Sequence, residues 1–264
     1  MSKEEKQPII FVGAGPGDPD LITVAGRKVL GEADLVVYAG SLVSPEMLTW
    51  VRAGAETVDS SGLSLETIVE KMVSAFHQGR RVVRLHTGDP SLYGAVQEQF
   101  SALEKRGVPY RIIPGVTAAF AAAAALGLEY TAPEVCQTLI LTRAAGRTPV
   151  PEKEDLAELA KHRASMAIYL SAGQAEKVAL ALAPAYGKEA VLAVVYRAGW
   201  PDQKILWTTV SRLAQDMAEA GLSRQAIILA GAPLEDLKAG RETPKSKLYD
   251  PAFSHGFRKG KDDE

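Results

Sequence analysis

Arg84-Leu85-His86-Thr87-Gly88-Asp89-Pro90-Ser91-Leu92-Tyr93-Gly94 decides how the rest of the chain is read. An apolar, β-branched run from Val82 to Leu85 meets a Gly-Asp-Pro turn, and a helical pattern starts near Gly94. The turn therefore sits at the carboxyl end of a strand and the amino end of a helix, where open α/β sheets bind ligands. Gly88 admits a ligand to the backbone with no Cβ in the way. Asp89 can cap the following helix or accept a donor from a bound molecule, and Pro90 fixes the entry angle. An ordinary strand-to-helix turn has the same residues, so the neighbouring strands must decide.

Two other strand ends carry small-residue turns. Pro8 to Val12 runs into Gly13-Ala14-Gly15-Pro16-Gly17-Asp18-Pro19-Asp20, followed by a helix capped at Asp18 or Asp20 and stopped at Gly31. Tyr110 to Ile113 runs into Pro114-Gly115-Val116-Thr117-Ala118, which opens an alanine-rich helix as far as Gly127. In a parallel sheet such ends line one edge, so the three form one expected site, with Gly88-Asp89-Pro90 in the middle. The first loop is not a phosphate cradle. The third glycine of G-x-G-x-x-G falls at Asp18, and Pro16 offers no N–H. The next strand, Asp34 to Tyr38, ends in Ala39-Gly40 with no acid to hold a ribose, and no G-K-[ST] occurs.

The remaining elements follow from caps and periodicity. Ser44-Pro45 starts a helix with Trp50 and Val51 as core contacts, and Ser64 caps another carrying Leu65, Ile68, Val69, Met72, Val73 and Phe76. Between them, Asp59-Ser60-Ser61-Gly62 is a small polar loop that reaches a substrate or is a plain turn. A further helix is expected over Ala95 to Arg106. A second βα series follows a pause at Leu128 to Pro133. Its expected strands are Thr138–Thr142, Met166–Leu170, Val191–Tyr196, Ile205–Val210 and Ala226–Ala230, with helices near Glu154–His162, Gln174–Ala185 and Arg212–Ala220. Arg143 and Arg147, around a glycine in a proline-stiffened loop, suit an anionic ligand or a solvated surface. The expectation is an α/β protein with domains at 8–128 and 134–250 and flexible tails at 1–7 and 251–264.

Composition narrows the function. The chain has 264 residues, 47% hydrophobic and 23% charged, as in a globular protein with a sizeable core. A net charge of -2 argues against a general nucleic-acid or membrane-surface binder. Cys136 is the single cysteine, and His77, His86, His162 and His255 form no HxxH pair, so no protein-bound metal is expected. No apolar run reaches membrane-spanning length, and Met1-Ser-Lys-Glu-Glu-Lys-Gln is too charged to begin a signal peptide, which makes the expected location cytoplasmic.

Val12-Gly13-Ala14-Gly15-Pro16-Gly17-Asp18-Pro19-Asp20-Leu21-Ile22-Thr23 resembles the amino-terminal signature of the tetrapyrrole (corrin/porphyrin) methylases. Gly88-Asp89-Pro90-x-x-Tyr93, Pro114-Gly115-Val116-Thr117-Ala118 and Ala226-Ile227-Ile228-Leu229-Ala230-Gly231 match further motifs of that superfamily. Leu141 to Glu152 and Val195 to Asp202 resemble its precorrin-4 (or cobalt-precorrin-4) C-11 methyltransferase branch. The resemblance implies two α/β domains with mostly parallel sheets, a ligand trough between them, and a homodimer. It also implies S-adenosyl-L-methionine as methyl donor and a precorrin-4-type tetrapyrrole as substrate, in cobalamin biosynthesis.

Residue by residue, the resemblance implies donor contacts at Pro16, Thr87, Gly88, Asp89, Leu92, Thr117, Ala118, Leu170 and Ala198. Gly199 stands where the branch commonly has serine, so a hydroxyl is lost. Arg143, Arg147 and Arg197 are the candidates for the substrate's carboxylates. The donor carries a sulfonium, an amino-acid zwitterion, an adenine and a ribose but no phosphate, which suits a small-residue pocket. In-line transfer to an electron-rich ring asks mainly for alignment; if a base assists, Asp59 or His86 is the candidate. A sister methyltransferase acting at another ring carbon, an RNA ribose methylase and a non-catalytic tetrapyrrole carrier are the other functions open to such a chain.

Overall fold

The computed structural model describes residues 7–40, 42–242 and 244–259; the tails expected at 1–7 and 251–264 fall outside the described residues over 1–6 and 260–264. The chain divides into two compact units, one holding the residues up to Ala122 together with Arg197–Gln203, the other holding Ala123–Tyr196 and the residues from Lys204 onward.

The first unit is built on five strands: β1 (Ile9–Gly13), β2 (Leu35–Tyr38), β3 (Glu56–Asp59), β4 (Val82–His86) and β5 (Tyr110–Ile113). Their order is β3-β2-β4-β1-β5 and every pairing is parallel. All residues of β1 and β4 are buried, as strands covered on both faces must be. On one face Ile9, Phe11, Val37 and Val82 pack with Met72 and Phe76 of α2 (Leu65–His77) and Phe100 and Leu103 of α3 (Gln97–Glu104). On the other, Ile10, Val12, Val36 and Val83 pack with Leu30 of α1 (Val24–Glu32) and with Met47. This order puts β1, not β4, in the middle of the three strands that carry small-residue turns.

Local chemistry corrects three boundaries. Thr23 caps α1, its hydroxyl accepting from the Gly26 N–H at 3.1 Å, whereas Asp18 caps only the 3-10 turn Pro19–Leu21. Gly31 lies inside α1. Helix α3 starts at Gln97, three residues beyond Gly94, because Tyr93 and Ala95 adopt φ of 55° and 47°, outside the right-handed helical region. Ser64 caps α2 as expected, and Ser44-Pro45 opens a 3-10 turn, Pro45–Trp50, in place of an α-helix. The alanine-rich helix α4 spans Ala118–Leu126.

The second unit carries β6 (Leu139–Arg143), β7 (Ser165–Tyr169), β8 (Val191–Tyr196), β9 (Lys204–Thr209) and β10 (Ala226–Ala230), in the order β6-β7-β10-β8-β9. Only β6 and β7 run parallel; the other three pairings are antiparallel, so this sheet is mixed where a mostly parallel one was expected. For β8 and β9 the reason is connection length. Seven residues, Arg197–Gln203, separate β8 from β9, enough for a hairpin and too few for a parallel crossover. Helices α5 (Leu156–Ala160), α6 (Ala175–Tyr186) and α7 (Leu213–Glu219) close a core of Met166, Ile168, Val178, Leu182, Leu192 and Ile228. An eighth helix, α8 (Ala232–Ala239), follows β10 where no helix was expected and stops at left-handed Gly240. Beyond it, Arg258 donates to the carbonyls of Leu248 and Asp250, which folds the segment before residue 260 into turns. No helix among the described residues is long and apolar enough to cross a membrane.

Candidate functional site

The site is built at the carboxyl edge of the first sheet. Gly15 and Gly88 exchange backbone hydrogen bonds, Gly15 N–H to Gly88 O at 3.2 Å and Gly88 N–H to Gly15 O at 2.8 Å, while the Ala14 N–H donates to His86 O. The loops after β1 and β4 are thus sewn together. The loop after β5 joins them at Gly115, where an added Cβ would stand 2.1 Å from Gly88 O; one on Gly13 would stand 2.6 Å from the Gly115 Cα. Glycine is required at both positions because three backbones meet there. The expected convergence of three strand ends is therefore present, with the β1 loop at its centre.

Asp89 binds the third loop to the second. One carboxylate oxygen accepts from the Gly115 N–H at 2.8 Å, and the other accepts from the N–H and hydroxyl of Ser91. Asp89 thus caps no helix. Burial pushes its carboxyl up, but the Ser91 hydroxyl and the Gly115 and Ser91 N–H groups outweigh burial and hold it below the usual carboxylate value. In front of Gly88, held at φ of 60°, the first atom an added Cβ would meet is the Thr117 Cα at 3.8 Å. The Gly88 and Thr117 backbones therefore lie one methyl group apart, with no side chain between them. Pro16 and Thr117 are buried, Thr87, Leu92 and Ala118 half-buried.

Ala198 is buried in the segment Arg197–Gln203, which belongs to the same unit. Arg197 stacks over the Trp200 ring at 3.8 Å and donates to Asp202 at 2.5 Å, so its guanidinium already has a carboxylate. Gly199 has φ of 80°, a conformation that serine adopts only with strain, and its N–H donates to Gln203 Oε1. Glycine here gains conformational fit, at the cost of the hydroxyl.

The two candidate bases are placed otherwise. His86 is 6% exposed, lies nearly parallel to Phe11 with ring centroids 5.8 Å apart, and has no partner at Nε2 among the described residues. Burial, and then the Arg84 charge, depress its pKa to about 3, so it is neutral at pH 7. Arg84, equally buried, donates to Gln99 Oε1 and the Val37 carbonyl. Asp59 ends edge strand β3, separated from β1 by two strands in the sheet order, and accepts from the N–H groups of Ser61 and Gly40, which keep it ionised.

In the second unit, Arg143 turns back on its own loop and donates to the carbonyls of Ala144, Thr148 and Pro149. Arg147 at the tip of that loop is exposed and forms no ion pair among the described residues. Leu170, at the end of β7, is 66% exposed with φ of 53°, a strained arrangement for leucine. A groove of about 450 Å³ beside Ile10, Lys28 and Arg111 holds none of the expected site residues.

Three glycine-bearing loops joined at the carboxyl edge of an all-parallel sheet stand where α/β proteins bind small ligands. The model of the Tetrapyrrole (Corrin/Porphyrin) Methylases matches residues 8–214, and the chain belongs to that family. It is 47% identical over 97% of its length to the cobalt-precorrin-4 C(11)-methyltransferase of Methanocaldococcus jannaschii, covering 98% of that protein. With the precorrin-4 C(11)-methyltransferase of Pseudomonas aeruginosa it shares 46% identity, covering 96% of this chain and 99% of that one. The X-ray structure of a cobalt precorrin-4 methyltransferase, a cobalamin biosynthetic enzyme, superimposes with a TM-score of 0.83 at 49% identity over 86% of this chain and 95% of the other.

Proposed function

We propose that this chain transfers a methyl group from S-adenosyl-L-methionine to C-11 of precorrin-4 or cobalt-precorrin-4 in cobalamin biosynthesis. The observation that carries it is the convergence of the Gly15, Gly88 and Gly115 loops in a chain that matches C-11 methyltransferases from end to end. When bound, the donor supplies an electrophilic methyl on its sulfonium. Pro16, Thr87, Gly88, Leu92, Thr117, Ala118 and Ala198 form its walls on this reading. Asp89 acts by holding the Gly115 loop, and Leu170 contributes from its strained strand end. The strain at Leu170 supports a role in binding, since left-handed leucine persists only where the surroundings impose it.

Arg147 is the leading candidate for a carboxylate of the tetrapyrrole, while Arg143 shapes the loop that presents it. Arg197, engaged by Asp202, is the weaker electrostatic partner. No general base is needed for an electron-rich ring to attack the methyl, and the burial of His86 and the occupied oxygen of Asp59 favour that view. The acting form is a homodimer, as the family resemblance implies, and works in the cytoplasm; sedimentation velocity on the purified chain tests the first part.

The reaction is tested with methyl-labelled donor and precorrin-4, with and without cobalt in the ring. Label at C-11 is the expected result, and the preferred ring states whether the metal belongs to the substrate. Donor binding without label in either macrocycle would overturn the substrate assignment.

A further inference from the structure

We infer that Trp200 is a positioning residue for the glycine loop Gly15-Pro16-Gly17, and that Arg197 and Asp202 hold the indole in place. The inference rests on the donor-site reading above and adds a residue to it. The indole N–H donates to the Pro16 carbonyl at 3.0 Å across 184 residues of sequence. Its ring lies against the bare Cα of Gly17, where an added Cβ would stand 2.1 Å from the indole Cδ1 and 2.3 Å from Nε1. The adjoining backbone rests on the same loop, since a Cβ at Gly199 would stand 3.3 Å from the Pro16 Cγ. Pro16 has no N–H, so its own place in the loop is set through its carbonyl and its ring. The Gly15–Gly88 pair fixes one side of the loop, and Trp200 fixes the other.

The indole is itself held. The Arg197 guanidinium covers its ring at 3.8 Å and is tied to Asp202, the Trp200 N–H donates to Arg197 O at 2.9 Å, and the Gln203 N–H donates to Trp200 O at 3.0 Å. Such a self-braced turn presents a flat surface and one aimed donor, which is what positioning a glycine-rich loop requires. Trp200 touches the loop and not the reacting atoms, so its loss should raise the donor KM and leave kcat nearly unchanged.

The test uses the full chain and S-adenosylhomocysteine as the calorimetric probe. W200F keeps a ring against Gly17 but lacks the N–H, and should weaken binding about fivefold, the size of one lost hydrogen bond. W200A should weaken it about thirtyfold, with the donor KM rising and kcat within about twofold of wild type. G17A drives a methyl into the indole and should lose about tenfold alone, but less than about twofold when added to W200A, because the clashing ring is gone. A global loss of stability would make the two substitutions additive. Wild-type affinity in both W200F and W200A, or strict additivity of G17A with W200A, would overturn the inference. Should W200A fail to fold, W200F and G17A decide it. A wild-type chain that binds no S-adenosylhomocysteine would instead overturn the donor-site reading itself.

Discussion

His86 is sealed inside the first unit as a neutral imidazole, and this fixes the sign of a pH effect. Its pKa, near 6.5 in the unfolded chain, falls to about 3 in the fold, chiefly through burial and then through Arg84. Between those values the unfolded chain binds one more proton, so stability is full above pH 6.5 and declines as the pH falls toward 3. The limiting slope for one proton is about 1.4 kcal/mol per pH unit. Urea titrations from pH 4 to 7 should show H86F losing stability less steeply than wild type by up to that slope. At Asp89 the carboxylate bridges the Ser91 and Gly115 N–H groups. Asp89→Ala removes both bonds and strands the half-buried Gly115 N–H, which should lower stability by about 1–3 kcal/mol. Donor affinity should fall with it while tetrapyrrole affinity changes little; calorimetry with each ligand separates the two, and the reverse order would contradict the brace.

Elements meet at glycine. In the loops after β1, β4 and β5, Gly115→Ala would place a methyl 2.1 Å from Gly88 O, with backbone on both sides and no flexible atom to move. The expected outcome is a loss of more than about 3 kcal/mol, or an insoluble chain. Gly62, in the loop after β3, has nothing within 4 Å of an added Cβ, so Gly62→Ala should be neutral or stabilise by about 0.4–1 kcal/mol. Thermal melts of the two variants side by side check the contrast. The strand stretches themselves were readable: Tyr110–Ile113 and Ala226–Ala230 fall where short β-branched, apolar-rich runs and turn signals place them. The α3 start was not readable, because left-handed Tyr93 and Ala95 run against the preferences of their own residue types. The antiparallel β8–β9 pair was available from the seven-residue connection alone, a signal that the expectation of repeated βα units overrode.

The molecule carries separate hydrophobic clusters in its two units, with Phe11 in one and Leu192 in another. Both side chains are fully buried. Phe11→Ala and Leu192→Ala should each destabilise by about 2–5 kcal/mol. As members of different clusters with no shared partner, their effects should add within about 0.5 kcal/mol in chemical denaturation. A larger deviation would show that the two cores are energetically coupled.

The family, the strand-turn-helix rhythm and most of the residues of the candidate site were written in the sequence. They depend on local order: glycine and proline at fixed offsets, caps beside apolar runs, and motifs that keep their spacing. Which strand stands in the middle, which N–H groups occupy Asp89, and which aromatic ring lies on Gly17 were decided by the tertiary structure. Asp89 and Gly115 are 26 residues apart and Trp200 and Pro16 are 184 apart. Contacts at such separations exist only once sheet order and loop closure bring the backbones together, and no local pattern encodes that order.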